Sequence, residues 1–258
     1  MATNDSRIST STYFLSTGDE PERMLKPIRG YASKPIVSLE KACEPLQAIV
    51  PRLNQFVNKA KSNSRHPANN LTQDESAAIR LYTMQSDEMV DGLNASIYAI
   101  LNRTLRDPDR TKLQPWFLYL KLLLTALTKL PSASVKSVWR GIRFQDSTNY
   151  VKSHEIVWWG FSSCTKSLDV LKSNLFLGDT GMRTIFSIDT FDGRSVKDHS
   201  DYPNEDEVLL LPGTCLKVHA KLDPSTDLRI IELKQIHSTK ELLEQPYTGK
   251  RTDNLNKN

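Results

Sequence analysis

Apolar residues recur at helical intervals through the first half of this chain, then gather into short alternating or β-branched runs. Ser38-Leu-Glu-Lys opens a helical stretch in which Leu46, Ile49, Val50, Leu53, Phe56 and Val57 return three and four positions apart. Thr72-Gln-Asp-Glu75 has the form of a capping box, in which the threonine hydroxyl and the glutamate carboxylate satisfy free amides of the first helical turn. Ala78, Ile79, Leu81 and Tyr82 continue that helix. The spacing predicts a third helix carrying Met89, Leu93, Ile97, Ile100 and Leu101. A fourth, from Pro115 to Leu130, is apolar nearly all round and therefore buried. Its Trp116, Phe117 and Tyr119 read as core residues.

After Pro131 the period changes. Residues 135–142, 156–162, 183–188, 207–211, 214–220 and 228–236 read as strands, with a helix over 167–175 between the second and third. Helices first and strands afterwards predict an α+β fold, not a doubly wound one. The expected domain covers residues 34–240, helical over 34–131 and strand-rich over 132–240. Residues 1–33 and 241–258 are polar and lack apolar periodicity, which predicts a flexible leader and a flexible tail.

Composition narrows the function classes. With 38% hydrophobic and 25% charged residues in 258, the chain has ordinary globular content. Its net charge of +4 comes from 34 basic and 30 acidic residues without a long basic run, which argues against a nucleic-acid partner. The three cysteines, Cys43, Cys164 and Cys215, form no CxxC pair, so neither a zinc site nor a disulfide framework is expected. No apolar run opens the chain, and Lys121 and Lys129 interrupt its longest apolar stretch, so a cytoplasmic protein without a membrane anchor is expected. Neither GxGxxG nor GxxxxGK[ST] occurs.

Three short patterns in the strand-rich half carry chemistry. In Val138-Trp139-Arg140-Gly141-Ile142 an arginine interrupts an apolar strand. It either lies on an exposed face or reaches an anion in a cleft, with Gly141 admitting a ligand to its backbone. In Trp158-Trp159-Gly160-Phe161-Ser162-Ser163-Cys164-Thr165 an aromatic strand ends in small hydroxyl side chains. These either cap the next helix or serve a ligand. No GxSxG elbow makes Ser163 a hydrolase nucleophile, and Cys164 has no evident histidine partner. In Tyr202-Pro203-Asn204-Glu205-Asp206-Glu207-Val208-Leu209-Leu210-Leu211-Pro212-Gly213, Glu205 and Glu207 alternate at the start of a strand. That alternation points both carboxylates to one face and Asp206 away, unless the acids are simply a solvated loop. His199 reads as a solvated loop residue.

In this order the three patterns resemble the R-S-E class of mono-ADP-ribosyltransferases, which modify arginine side chains. The likeness covers roughly residues 71–236, and it implies a split β-sandwich with NAD⁺ (or NADP⁺) as co-substrate in the cleft and no metal. It implies that Arg140 holds the phosphate and ribose region, and that the Gly141 backbone pairs with the nicotinamide carboxamide. Ser163 would position the catalytic acid, Glu207 would stabilise the ribosyl cation, and Glu205 would orient and deprotonate the incoming guanidinium of a target protein. Ser200 would contact NAD⁺, Phe176 would clamp the nicotinamide ring, and Tyr202 would face the target from a recognition loop over 198–204. The departures from the family's Ser-Thr-Ser strand are Cys164 and Thr165. An NAD⁺ glycohydrolase, and an NAD-binding interaction module without turnover, are the alternatives.

Overall fold

A computed structural model describes residues 20–21, 23–86, 89–90, 93–133, 137–143, 150–172, 177 and 180–247. Helix α1 (Leu39–Cys43) starts at Ser38, whose side chain accepts from the Lys41 amide at 3.4 Å. The single helical stretch expected from residue 38 onward is broken. Pro45 sits in a 3-10 turn (Glu44–Leu46), and Arg52, in the left-handed region at φ 52°, precedes α2 (Leu53–Ser62). A proline lacks the amide that a continuing helix needs. Helix α3 (Gln73–Thr83) carries the expected capping box, with both the Thr72 and the Glu75 bonds present.

Met89 and Leu93 lie outside the third helix. They belong to a small hairpin of β1 (Met89–Val90) and β2 (Leu93–Asn94), where both are exposed, and α4 (Ile97–Arg106) begins only after it. A 3-10 stretch (Arg110–Trp116) runs into α5 (Phe117–Lys129), buried along most of its length as its apolar sequence requires. Among the described residues no helix is long and apolar enough to cross a membrane.

The strands are β3 (Ser137–Ile142), β4 (Glu155–Trp158), β5 (Ser162–Thr165), β6 (Arg183–Asp189), β7 (Arg194–Ser195), β8 (Glu207–Leu210), β9 (Thr214–Ser225) and β10 (Leu228–Gln235), with helix α6 (Leu168–Lys172) after β5. They line up as β4-β9-β10-β6-β3-β5-β8-β7, antiparallel except for β6 beside β10. Between β3 and β5 a single pair, Trp139 with Thr165, joins the two parts. The sheet therefore splits there into a five-stranded and a three-stranded half.

Alternation along the strands shows how the halves stack. Cys164, Val208 and Leu210 of the smaller half share one core with Val138, Phe186, Leu216 and Ile231 of the larger. Phe161 and Leu209 join the other core, with the helices. Strand β8 is buried at every position because both its faces are covered. This is the α+β split sandwich expected from the sequence.

The two ends of the domain require a correction. Residues 23–33 and 241–247 were expected among the leader and the tail, yet they pack together and close the domain. Leu25, Ile28, Tyr31 and Leu242 are buried. The Ile28 amide donates to the Leu242 carbonyl at 2.8 Å and the Glu244 amide returns to the Ile28 carbonyl at 3.0 Å. The Tyr31 hydroxyl donates to the Glu244 carbonyl, and the Gly30 amide to the Glu244 carboxylate at 2.7 Å. Lys121 of α5, itself buried, donates to the carbonyls of Ala32 (2.7 Å) and Pro246. Each segment is only a few residues long, too short to show a hydrophobic period.

Candidate active site

Arg140 shares its face of β3 with Val138 and Ile142 and points into the sandwich core, 1% exposed. The exposed-face alternative is thereby excluded. One Nη1–H donates to the Ser163 carbonyl at 2.7 Å across the split, whereas its Nε has no partner among the described residues. Burial lowers its pKa from the ordinary arginine value. Its Nε is a buried donor that an anion would satisfy.

Ser163 and Glu207 lie on the opposite, helix-facing side of the smaller half-sheet. Thr165 pairs with Glu207 and Ser163 with Leu209. The Ser163 hydroxyl donates to the Glu207 carboxylate at 2.7 Å, and both residues are buried. One residue thus links two side chains: Ser163 accepts from Arg140 on its main-chain carbonyl and donates to Glu207 from its hydroxyl. Neighbouring Cys164 faces the sandwich core, and burial pushes its thiol up to about 12, which keeps it inert.

Glu205 and Glu207 do not alternate along one strand. Glu205 ends a 3-10 turn (Pro203–Glu205), and Asp206, left-handed at φ 47°, separates it from the first residue of β8. A turn, not strand pleating, places Glu205. Its carbonyl accepts from the Thr165 hydroxyl at 2.9 Å. Burial alone raises its carboxyl from 4.5 to about 7, near the point where an acid–base group works at neutral pH. Asp206 is half-buried and lies 3.4 Å from Lys197.

The loop before it is buried in part: Asp198, Pro203 and Asn204 are exposed, His199 and Ser200 are not. His199 is fully buried, its Nδ1 at 2.9 Å from the Ser76 hydroxyl and its Nε2 at 3.1 Å from Asn69 Oδ1, which corrects the loop reading. Ser200 is buried, and its hydroxyl accepts from the Tyr202 amide at 3.0 Å. Tyr202 is half-buried. Gly141 lies under Leu177, whose Cδ1 would stand 2.5 Å from an added Cβ, so a side chain there would require Leu177 to move. Phe176 lies outside the described residues.

Sequence reasoning missed the polar support behind β5. Asn102 donates to the Tyr82 hydroxyl (3.0 Å) and accepts from the Phe161 amide (2.9 Å). Arg106 donates to Glu20 at 2.6 Å, and Glu20 also accepts from the Trp159 amide at 2.8 Å. Asn102 and Arg106 are four apart on α4, and two polar residues on the buried stripe of that helix were the available signal. Among the described residues no three His, Cys, Asp or Glu side chains converge as a metal site would require.

Comparison with known proteins bears on this geometry. A family model described as NAD:arginine ADP-ribosyltransferase matches residues 37–241. No curated relative matches by sequence. Exoenzyme S of Pseudomonas aeruginosa, solved with human 14-3-3 protein beta and carba-NAD, is 21% identical with a TM-score of 0.54, over 78% of this chain and 94% of that one. The eukaryotic mono-ADP-ribosyltransferase ART2.2 is 22% identical with a TM-score of 0.51, over 84% and 98%. Vis of Vibrio splendidus, solved with agmatine, is 17% identical with a TM-score of 0.52, over 84% and 96%. At these identities the likeness is one of fold.

Proposed function

The chain belongs to the NAD:arginine ADP-ribosyltransferase family, and on that premise we propose that it transfers ADP-ribose from NAD⁺ to arginine side chains of a target protein, releasing nicotinamide. The observation that carries this reading is the Arg140–Ser163–Glu207 relay across the split in the sheet, with Glu205 beside it. The vacant Nε of Arg140 suits a phosphate of the dinucleotide. Ser200, the Gly141 backbone and Phe176 are assigned to its remaining contacts, and Tyr202 to the acceptor.

Breaking the bond between ribose C1′ and the nicotinamide nitrogen leaves positive charge on the ribose, while nicotinamide departs with the electron pair. The Glu207 carboxylate, fixed by the Ser163 hydroxyl in a dry site, stabilises that charge without having to reorganise. A guanidinium nitrogen then bonds to C1′, and the proton it sheds goes to Glu205, which takes it as the bond forms. Vis crystallises with agmatine, a small guanidinium compound, and exoenzyme S with an NAD analogue, which supports both halves of the proposal.

The test is incubation of the chain with labelled NAD⁺ and agmatine. Labelled ADP-ribosylagmatine and free nicotinamide are expected, with both rates down by about 10³ in Glu207→Ala. Free ADP-ribose as the sole product, whatever the acceptor concentration, would make the protein a glycohydrolase instead. Unchanged rates in Glu207→Ala would remove the site.

A further inference from the structure

Helix α3 turns one polar stripe toward the loop that leads into Glu205. Ser76, Arg80 and Thr83 stand four and three apart, so they share one face of the helix. They meet three consecutive loop residues in register. The Ser76 hydroxyl lies 2.9 Å from Nδ1 of His199. Arg80 Nη1 donates to the Ser200 carbonyl at 2.5 Å, and its Nε donates to the Ser64 hydroxyl at 3.2 Å. The Thr83 hydroxyl accepts the Asp201 amide at 2.9 Å. Outside this ladder Asn69 holds the other nitrogen of His199, and Lys59 of α2 bonds Asp201 at 2.9 Å.

From the ladder the chain continues without slack. The Tyr202 amide donates to the Ser200 hydroxyl, the Glu205 amide to the Tyr202 carbonyl at 3.1 Å, and Thr165 takes the Glu205 carbonyl from the far side. Glu207 is positioned separately, by strand pairing with β5 and by Ser163. The two acids thus differ in support: the sheet alone for Glu207, and for Glu205 the loop held by helix α3 together with Thr165 at the end of β5.

We propose that the Ser76–Arg80–Thr83 stripe, acting through His199, Ser200 and Asp201, is the positioning element for the acceptor half of the reaction, and that it sets how ADP-ribose divides between a guanidinium and water. This rests on the transferase reading above. A proton acceptor displaced by about 1 Å loses much of its effect on rate. Loosening the ladder therefore slows capture by the guanidinium while cleavage of the nicotinamide bond, carried by Glu207, continues.

The double variant Ser76→Ala, Thr83→Val removes two rungs with little change in volume. Tyr31→Phe, which loses a bond at the distant domain end, serves as the comparison for general loosening. Each is assayed with NAD⁺ and agmatine for ADP-ribosylagmatine, free ADP-ribose and the KM for NAD⁺. The ratio of transfer to hydrolysis is expected to fall about tenfold in the double variant, with KM for NAD⁺ unchanged and the ratio intact in Tyr31→Phe. An unchanged ratio in the double variant, or an equal fall in Tyr31→Phe, overturns the proposal. Wild-type protein that makes no ADP-ribosylagmatine would instead strike the transferase reading itself.

Discussion

Glu205 is the residue at which folding and chemistry pull in opposite directions. Its folded pKa of about 7 lies above the ordinary 4.5, so the native protein holds this proton more tightly than the unfolded chain does. Stability is therefore lost as pH rises from 4.5 through about 7, and stays lost above it. Glu205→Gln carries no such charge. At pH 8 it should raise the thermal midpoint, with an upper bound of ~3 kcal/mol reduced by the partial exposure of the site and by the cost of burying an amide. The same substitution should abolish arginine modification and spare nicotinamide release, since the amide accepts no proton. In the wild type the transfer rate should climb through pH 7 at saturating acceptor, and a product assay on Glu205→Gln should show no such step for residual hydrolysis. A midpoint lower than wild type at pH 8 would count against burial as the cause of the raised pKa. The sequence singles out Arg140, Ser163, Glu205 and Glu207 because each stands in a short pattern of distinctive neighbours, and the fold joins Arg140, Ser163 and Glu207 by hydrogen bonds. Their placement was less so: the pleating argument for the two acids fails at Asp206, whose left-handed backbone no alternation rule anticipates.

At the scale of elements, local signals were read correctly wherever they were strong. The capping box at Thr72 and Glu75 is formed, and α3 begins there. Because this helix carries the polar stripe, its cap bears on function as well as stability. Thr72→Ala should cost about 1 kcal/mol in a urea titration, the usual loss for a hydroxyl cap. Lys129, bonded to Glu75, keeps that carboxylate in place, so the effect should not spread beyond the first turn. A loss above about 3 kcal/mol would show that more than the cap had gone. Weaker signals misled. Met89 and Leu93 fit a helical period but lie in a hairpin, and the prolines at 45 and 51 outweighed the apolar spacing from Leu46 to Val57. Polar residues on buried helical faces, Ser76 and Thr83 on α3 and Asn102 on α4, keep helical spacing with polar neighbours, but that spacing does not say what they face. Their partners Phe161, Asp201 and His199 are 59 to 123 residues away in sequence, so only the folded chain reveals them.

For the molecule as a whole, the closure of the domain by its two ends depends on a buried lysine in a largely apolar helix. Lys121 lies in α5, buried, and its ammonium meets main-chain carbonyls from both ends: Ala32 before α1 and Pro246 after β10. Removing residues 241–258 therefore does two things at once. It strips Leu242 and Leu243 from the helical core, and it leaves a buried cation with one of its two carbonyl partners. A large-to-small loss at one such leucine alone costs about 2–5 kcal/mol, and a buried charge deprived of its acceptor adds to that. The truncated chain should unfold at a clearly lower urea concentration than the full chain. Replacing Lys121 with Met separates the two contributions. In the full chain the substitution discards satisfied hydrogen bonds and should destabilise; in the truncated chain it removes an under-satisfied charge from an apolar helix and should restore part of the loss. A double-mutant cycle on the four proteins, read from their urea midpoints, would show this as a coupling of opposite sign to simple addition. Additive effects would mean that the tail contributes through its leucines alone, and that the ammonium finds water once the tail is gone.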